Sequence, residues 1–340
     1  MTMTSKRPNA RKRMATLRHN FVRGVFVIHP HENSHSGTSF HHRDAKELAL
    51  STEGHDKFVK GLHQEKQLFV EAVTSHLQVE VTECAPDSFE PQCDEEKEPP
   101  SLSPDIIYPC DSVISANLHL FIPRMGCKCR RSESELIAGF LKEKGAKHVH
   151  RLEAPAKFEG GDALIIEVGD RIGAILGRRT KKMTREMGLN GLEVRSNKEG
   201  RKSFIKFLKA AYGKRFIGAV VAETGCLHIG TACEIIQAGP NEKILIVHNE
   251  GLLYPNILAH SVEKLFNLKS GTVKTKKVPK EESWGAPVLS NGSKVIVQAG
   301  FHRISRWLES EGFEVKNVPW RYHQLTDGNF RCAVQPMPVA

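Results

Sequence analysis

The sequence is poor in several things at once, and each shortage removes a class of protein. Its 340 residues contain no apolar run near the roughly 18 residues a bilayer-crossing helix needs, so no membrane span is predicted. Cysteine is sparse, with eight residues. A disulfide scaffold is short and cysteine-dense, so free thiols in a reducing compartment are expected. Aromatic residues make up 7% of the chain against a net charge of +10. A nucleic-acid reader needs a clustered basic face interleaved with aromatics, so nucleic acid is disfavoured as a partner and the charge is read as solubility plus a basic tail. Neither a Gly-x-Gly-x-x-Gly nor a P-loop pattern occurs, and no organic cofactor is expected. Cys127-Lys128-Cys129 has no second cysteine pair at ligand spacing, and the run His29, His31, His35, His41, His42 is irregular; no metal is expected. The N-terminus lacks the apolar segment of a secretory leader. It carries Lys6, Arg7, Arg11, Lys12, Arg13, Arg18 and Arg23 with no acid before Glu32, which reads as a disordered tail over residues 1–20 of a cytoplasmic protein; transit peptides share that composition, making a mitochondrial location the alternative.

Residues 21–340 read as one α/β domain. It opens with the apolar run Val25-Phe26-Val27-Ile28. Leu48, Phe58, Leu62, Leu68, Phe69, Val73 and Leu77 fall mostly at helical steps within 44–78, before a strand at Val79–Val81. Residues 85–104 are acidic and proline-rich and read as a surface loop. A hairpin–helix–strand unit then recurs. Val113-Ile114 and Leu118–Ile122 are followed by a helix over Glu133–Lys144 with Gly145 at its stop, then a strand His148–Leu152. Ala163–Ile166 and Ile172–Leu176 flank Gly169-Asp170, with a helix expected at Lys181–Met187. Pro287–Leu289 and Val295–Gln298 flank Asn291-Gly292, a strong hairpin signal, before a helix through Ile304, Trp307 and Leu308 that stops at Gly312, and a strand Phe313–Val318. Glu234–Val247 with Asn256–Phe266 is a looser copy. The recurrence predicts α/β modules around an axis, with a fifth assembled from Val25–Ile28 and Cys332–Gln335 at the two chain ends. A doubly wound sheet is the alternative, disfavoured by the hairpins between helices.

Five places hold residues suited to chemistry. Phe158-Glu159-Gly160-Gly161-Asp162 sets two carboxylates about a glycine pair that permits close approach; a turn with solvated acids reads equally well. Thr224 to Cys233 sets His228 among small residues after an apolar run; a structural histidine is the plainer reading. Asp327-Gly328-Asn329-Phe330-Arg331-Cys332 puts a cysteine beside an arginine, an arrangement expected to lower a thiol pKa, though an inert buried cysteine also fits. Asp105 and Asp111 stand six apart before the first hairpin. The pairs Arg130-Arg131 and Arg178-Arg179 suit bidentate carboxylate binding or plain solvation.

In this order, these elements resemble the pentein superfamily of guanidino-modifying enzymes, from about Pro104 to Met337 and more faintly back to Phe21. The resemblance implies a five-bladed α/β propeller of ββαβ modules with the site on its axis. It implies Cys332 as nucleophile, His228 as acid/base, Glu159 as the carboxylate orienting the histidine, and Asp111 as the grip on a guanidinium. Asp105, Arg130, Arg179, Asp162 and Asp327 fall to substrate binding, with a small guanidino compound as partner. An Nω-methylated arginine is the leading substrate, with deiminases, amidinotransferases or a non-catalytic binding protein as alternatives. Three departures stand out, the first being Arg331-Cys332-Ala333-Val334-Gln335-Pro336, which resembles the deiminase ends more than the Cys-Cys of the dimethylarginine enzymes. Cys110 replaces a second guanidinium-binding acid, and Gly230 stands where deiminases and amidinotransferases carry an aspartate. The oligomeric state is left open.

Overall fold

A computed structural model describes residues 24–30, 52–84, 104–126, 130–179, 195–238, 243–325 and 328–338. In chain order it sets out β1 (Val25–Ile28), α1 (Thr52–Glu71), β2 (Val81–Cys84), β3 (Ile114–Ala116), β4 (His119–Ile122), α2 (Arg131–Glu143) and β5 (His148–Arg151). Then come β6 (Ala163–Val168), β7 (Arg171–Arg178), α3 (Lys198–Tyr212), β8 (Phe216–Glu223), the short α4 (Ile229–Ala232), β9 (Cys233–Ala238) and β10 (Lys243–His248). The remainder is α5 (Pro255–Phe266), β11 (Val273–Lys277), β12 (Leu289–Asn291), β13 (Lys294–Gln298), α6 (His302–Ser310), β14 (Glu314–Val318), α7 (Arg321–Gln324) and β15 (Gln335–Pro336).

These strands make a mixed α/β fold of five three-stranded sheets, ordered β15-β1-β2, β3-β4-β5, β6-β7-β8, β11-β10-β9 and β12-β13-β14. Each middle strand has one antiparallel and one parallel neighbour. The antiparallel pair is a hairpin in the four internal sheets, and a helix makes each parallel crossover, because parallel strands cannot be joined by a tight turn. Glycines at the turns take the left-handed backbone these connections need: φ is 65° at Gly169 and 62° at Gly292. The terminal sheet joins both chain ends, with Val25 opposite Pro336 and Phe26 opposite Gln335.

Strand periodicity explains how the sheets meet. In β6, Ala163 and Ile165 enter one core cluster while Leu164 and Ile166 enter another. In β10, Ile244 and Ile246 pack one way and Leu245 and Val247 the other. A strand buried on both faces reads as a near-continuous apolar run, as these do. Five clusters result, each drawing on two sheets in succession. Ile28 and Leu120 link the terminal and β3–β5 sheets; Phe121 and Ala174 link the next pair. Ile175 and Ile246, then Val247 and Val295, continue the series. Ile296 and Val27 return it to the terminal sheet.

The helix expected at Lys181–Met187 lies outside the described residues, as do most of 85–104 and the tail before Gly24. The crossover between β7 and β8 is α3, whose core-facing Phe204, Phe207, Leu208 and Ala211 keep helical spacing. Asn197 caps it, its Oδ1 accepting the Gly200 amide at 2.8 Å. No described helix is long and apolar enough to cross a membrane, and the five described cysteines are all free thiols.

Candidate active site

Four loop segments converge, and tight backbone approaches make that possible. The Tyr108–Ser112 turn precedes β3, and the Gly160 amide donates to the Asp111 carbonyl at 3.0 Å. A Cβ at Gly160 would lie 1.9 Å from the Cys110 carbonyl oxygen, and one at Gly161 2.6 Å from Asp111 Oδ1 and 2.7 Å from the His228 ring. Gly160 faces backbone that cannot move aside, whereas a side chain at Gly161 would push Asp111 and His228 apart. The Cys110 amide donates to the Cys332 carbonyl at 3.3 Å, tying the C-terminal loop to the same turn.

His228 sits at the head of α4, its main-chain carbonyl accepting from the Thr231 hydroxyl at 2.8 Å. Its imidazole is buried between carboxylates. Nε2 meets Glu159 Oε2 at 2.7 Å, and Nδ1 lies 3.7 Å from Asp111 Oδ1. Burial alone would lower the histidine pKa, but Asp111, Glu159 and Asp162 outweigh it, and the net shift is upward. The charged form of His228 is therefore favoured over that of a free imidazole. Glu159 is wholly buried. Its Oε1 accepts the Gly126 amide at 2.8 Å and Arg195 Nη1 at 3.1 Å. Burial opposes its charge, yet the His228 hydrogen bond, with His228, Arg195 and Arg130 as cations, brings its pKa down to about 2.

Asp111 is fixed from two sides. Oδ1 accepts the Gly161 amide and Oδ2 accepts Arg130 Nη1, each at 3.0 Å. Arg130 is buried and also donates to Glu133, with Nε at 3.0 Å from Oε1 and Nη2 at 2.9 Å from Oε2. So Arg130, expected near a substrate carboxylate, instead stands behind Asp111 with its fork directed at protein carboxylates. Arg131 turns to the Met125 carbonyl and Arg178 pairs with Glu223. Arg179 is half-buried, donating from Nη2 to the Cys226 carbonyl at 2.7 Å, while its Nε has no hydrogen-bond partner among the described residues. Asp162 is buried, and its Oδ1 accepts the Ile229 amide at 3.3 Å at the start of α4. Asp105 belongs to the 3-10 turn Pro104–Ile107 that leads into this segment. Asp327 lies outside the described residues, as do Cys127 and Cys129.

Cys332 follows a turn anchored by Phe330, which is wholly buried and stacked on Phe69 at 5.0 Å between ring centroids. Asn329 Oδ1 accepts the Cys332 amide at 3.1 Å. The thiol pKa does not fall as the sequence predicts, because burial outweighs the charge of the adjacent arginine. Arg331 points away, its Nη2 donating to the Ala163 carbonyl at 2.7 Å and its Nη1 lying 3.5 Å from Glu234. Burial, then the charge of Asp111, raises the Cys332 pKa. Burial likewise pushes Cys110 up to about 12. Arg331 also explains Gly230: a Cβ there would meet Arg331 Cδ at 3.1 Å and Nε at 3.2 Å, so the arginine occupies the space a side chain would need.

Asp111, Glu159, Asp162, His228 and Cys332 thus share one buried site, with Arg130 behind it. Sequence reading missed Arg195, Ser196, Glu133 and Asn329. Asn329 carried the one available signal, an Asx residue three before the cysteine, where its side chain reaches a turn amide. Among the described residues no group of three or more His, Cys, Asp or Glu is placed to hold a metal ion.

No family model matches the chain. An N(G),N(G)-dimethylarginine dimethylaminohydrolase of Pseudomonas aeruginosa is 26% identical over 234 residues, spanning 69% of this chain and 77% of that protein. A solved structure of the enzyme from that organism, a cysteine-to-serine variant complexed with citrulline, superposes with a TM-score of 0.63 at 20% identity, covering 92% of this chain and 98% of the other. The substrate-bound N-terminal domain of a cyanobacterial arginine dihydrolase gives a TM-score of 0.62 at 14% identity, over 93% and 98%. These matches show that the chain shares the fold of those enzymes.

Proposed function

We propose that this chain, a hydrolase of C–N bonds in linear amidines, converts an Nω-methylated arginine to citrulline and methylamine or dimethylamine through a covalent Cys332 adduct. The observation that carries the reading is the His228–Glu159–Asp111 arrangement, an imidazole buried against two carboxylates, with Asp111 in the turn that is tied to the Cys332 carbonyl. A guanidinium is a poor electrophile because its charge is delocalised, so it must be held with its carbon against the sulfur. Asp111, fixed by Gly161 and Arg130, supplies that grip, and the substrate's positive charge offsets the carboxylate that opposes thiol ionisation. The thiolate attacks the guanidinium carbon. His228 gives its proton to the departing amine, and the C–N bond breaks. The neutral imidazole then takes a proton from water, whose oxygen displaces the sulfur and leaves a ureido product. Glu159 orients His228 and favours its charged form. Asp162 holds the start of α4 through the Ile229 amide, Asp105 serves the substrate's amino-acid end and Arg179 its carboxylate. No cofactor takes part.

The same reading takes the five sheets as blades of a five-bladed α/β propeller with this site on its axis. The unbroken succession of core clusters supports the ring. Residues 21–340 then act as one catalytic domain, since the site draws on the terminal segment and three internal loops. Gly230, filled by Arg331, favours this branch over deiminases that need an acid there.

The test is ureido product from asymmetric dimethylarginine, monomethylarginine, arginine and agmatine, with Cys332→Ser alongside. Turnover of a methylated arginine that is lost in the variant is expected. Turnover of arginine or agmatine alone would assign the chain to the deiminases, and no turnover by folded protein would end the hydrolase reading.

A further inference from the structure

An acid that must release a proton is poorly served by carboxylates alone. Asp111, Glu159 and Asp162 all favour the charged form of His228. A general acid works best with a pKa near the operating pH, so the negative charge around the ring needs a counterweight. The structure supplies one on each carboxylate that approaches an imidazole nitrogen. Asp111 Oδ1 lies 3.7 Å from His228 Nδ1, and Asp111 Oδ2 accepts Arg130 Nη1 at 3.0 Å. Glu159 Oε2 lies 2.7 Å from His228 Nε2, and Arg195 Nη1 reaches both carboxylate oxygens, at 3.1 Å from Oε1 and 3.3 Å from Oε2.

The chain around Arg195 is clamped to the segment that carries Glu159. The Glu159 amide donates to Ser196 Oγ at 3.1 Å. The Asn197 amide donates to the Lys157 carbonyl at 3.0 Å, and the Lys157 amide returns a bond to Asn197 Oδ1 at 3.0 Å. Gly126 leaves room for the arginine, since a Cβ there would lie 3.1 Å from both Arg195 Cα and Glu159 Oε1 and 3.3 Å from Arg195 Cδ. The Arg195 side chain is 25% exposed where that of Glu159 is 0% exposed, so the guanidinium lies on the solvent side of a sealed carboxylate. The other ionisable groups nearby are engaged elsewhere. Arg179 donates to the Cys226 carbonyl, Arg331 to the Ala163 carbonyl and Arg201 to the Ser196 carbonyl. Burial favours the thiol forms of Cys110 and Cys332.

We propose that Arg195 is a positioning residue for the reaction: it holds the Glu159 carboxylate against His228 and, by binding that same carboxylate, leaves the histidine able to give up its proton to the departing amine. Arg195 touches neither the substrate nor the reacting atoms in this role. It acts through Glu159, as Arg130 acts through Asp111.

The inference rests on His228 being the acid of the proposed reaction, but its first readout needs no amidine. Nitrogen-15 NMR follows the His228 ring against pH in wild type, Arg195→Met and Arg195→Lys, beside pH–kcat profiles. In Arg195→Met the His228 midpoint and the basic limb of kcat are both expected to move to higher pH by about one unit, because a cation has left the carboxylate that faces the ring. Its kcat is expected to fall roughly tenfold. Arg195→Lys keeps the charge and loses the planar fork, so its midpoint should stay near that of wild type while kcat recovers in part. In wild type, the Arg195 guanidinium nitrogens should titrate with the His228 midpoint, a step that is lost in His228→Gln; this reading holds even if no variant at Arg195 folds. An unmoved midpoint and basic limb in Arg195→Met, or no His228-dependent step in the wild-type guanidinium, would overturn the proposal. The expected titrations without turnover of any amidine would instead count against the proposed function and leave Arg195 coupled to His228 through Glu159.

Discussion

At the scale of single residues, the site is an exercise in keeping one histidine charged. Glu159 has an ordinary pKa of 4.5 and is brought to about 2, so its pairing stabilises the fold fully above about pH 4.5 and that contribution is lost as pH falls toward 2. His228 is shifted up from 6.5, so its contribution is complete below 6.5 and is lost as pH rises through the raised value. The two windows overlap in the mildly acidic range, where the pair is most stable. Glu159→Gln removes the carboxylate and leaves Arg195 and His228 facing a neutral amide. The expected result is a basic limb of the pH–kcat profile moved to lower pH, a 10²-fold or greater loss in kcat, and a cost of about 3–5 kcal/mol in unfolding free energy. A kcat profile with its basic limb unmoved would show that Glu159 does not set the charge of His228. Most of these residues were legible as letters: Glu159, His228 and Cys332 each stand in a short motif of small residues. Their partners were not. Glu133 and Arg195 look like surface charges on a string, and only folding shows that they end against Arg130 and Glu159.

At the scale of elements, two glycines decide whether the loops can meet. Gly161 has ordinary backbone angles but no room, with Asp111 and His228 each under 3 Å from where a Cβ would stand. Gly160 faces a carbonyl oxygen, which cannot swing aside. Gly160→Ala is expected to lower the melting temperature strongly by displacing the Tyr108–Ser112 turn. Gly161→Ala is expected to fold, since side chains can yield, but to lose activity by two orders of magnitude or more as Asp111 and His228 move apart. Calorimetry beside steady-state kinetics separates the two effects; a Gly161→Ala enzyme of normal kcat/KM would mean that the Asp111–His228 spacing is immaterial. The hairpins were readable because turn glycines punctuate them, and so were α2, α5 and α6, whose apolar stripes are unbroken. The third crossover was not. Gly200 and five lysines and arginines in α3 obscure its stripe, although Gly200 is required there by the Lys157 carbonyl 1.9 Å from its Cβ position.

At the scale of the whole molecule, the chain ends hold the nucleophile. Cys332 stands three residues before β15, and β15 pairs with β1 near the start of the described chain. Ser115 reinforces the join by donating to the Pro336 carbonyl at 2.5 Å. Ending the chain after Val334 removes that strand while sparing every residue of the site. Activity should fall to background, and unfolding should become less cooperative as the cluster shared by Val27 and Ile296 opens. A truncated protein with native melting and turnover would show that the terminal sheet is dispensable. The repeat pattern revealed this closure in outline. It placed Cys332 in the last strand, whereas the strand starts at Gln335 and leaves the cysteine in the preceding turn, where Asn329 can hold its amide.

The central claim is that Cys332 forms a covalent bond to the amidine carbon. Rapid quenching during turnover of asymmetric dimethylarginine, followed by intact and peptide mass measurement, tests it directly. The account predicts a transient adduct on the Cys332 peptide, heavier by the substrate less dimethylamine and absent in an inactive Cys332→Ser protein. Full turnover by Cys332→Ser, or an adduct on Cys110 instead, would contradict it.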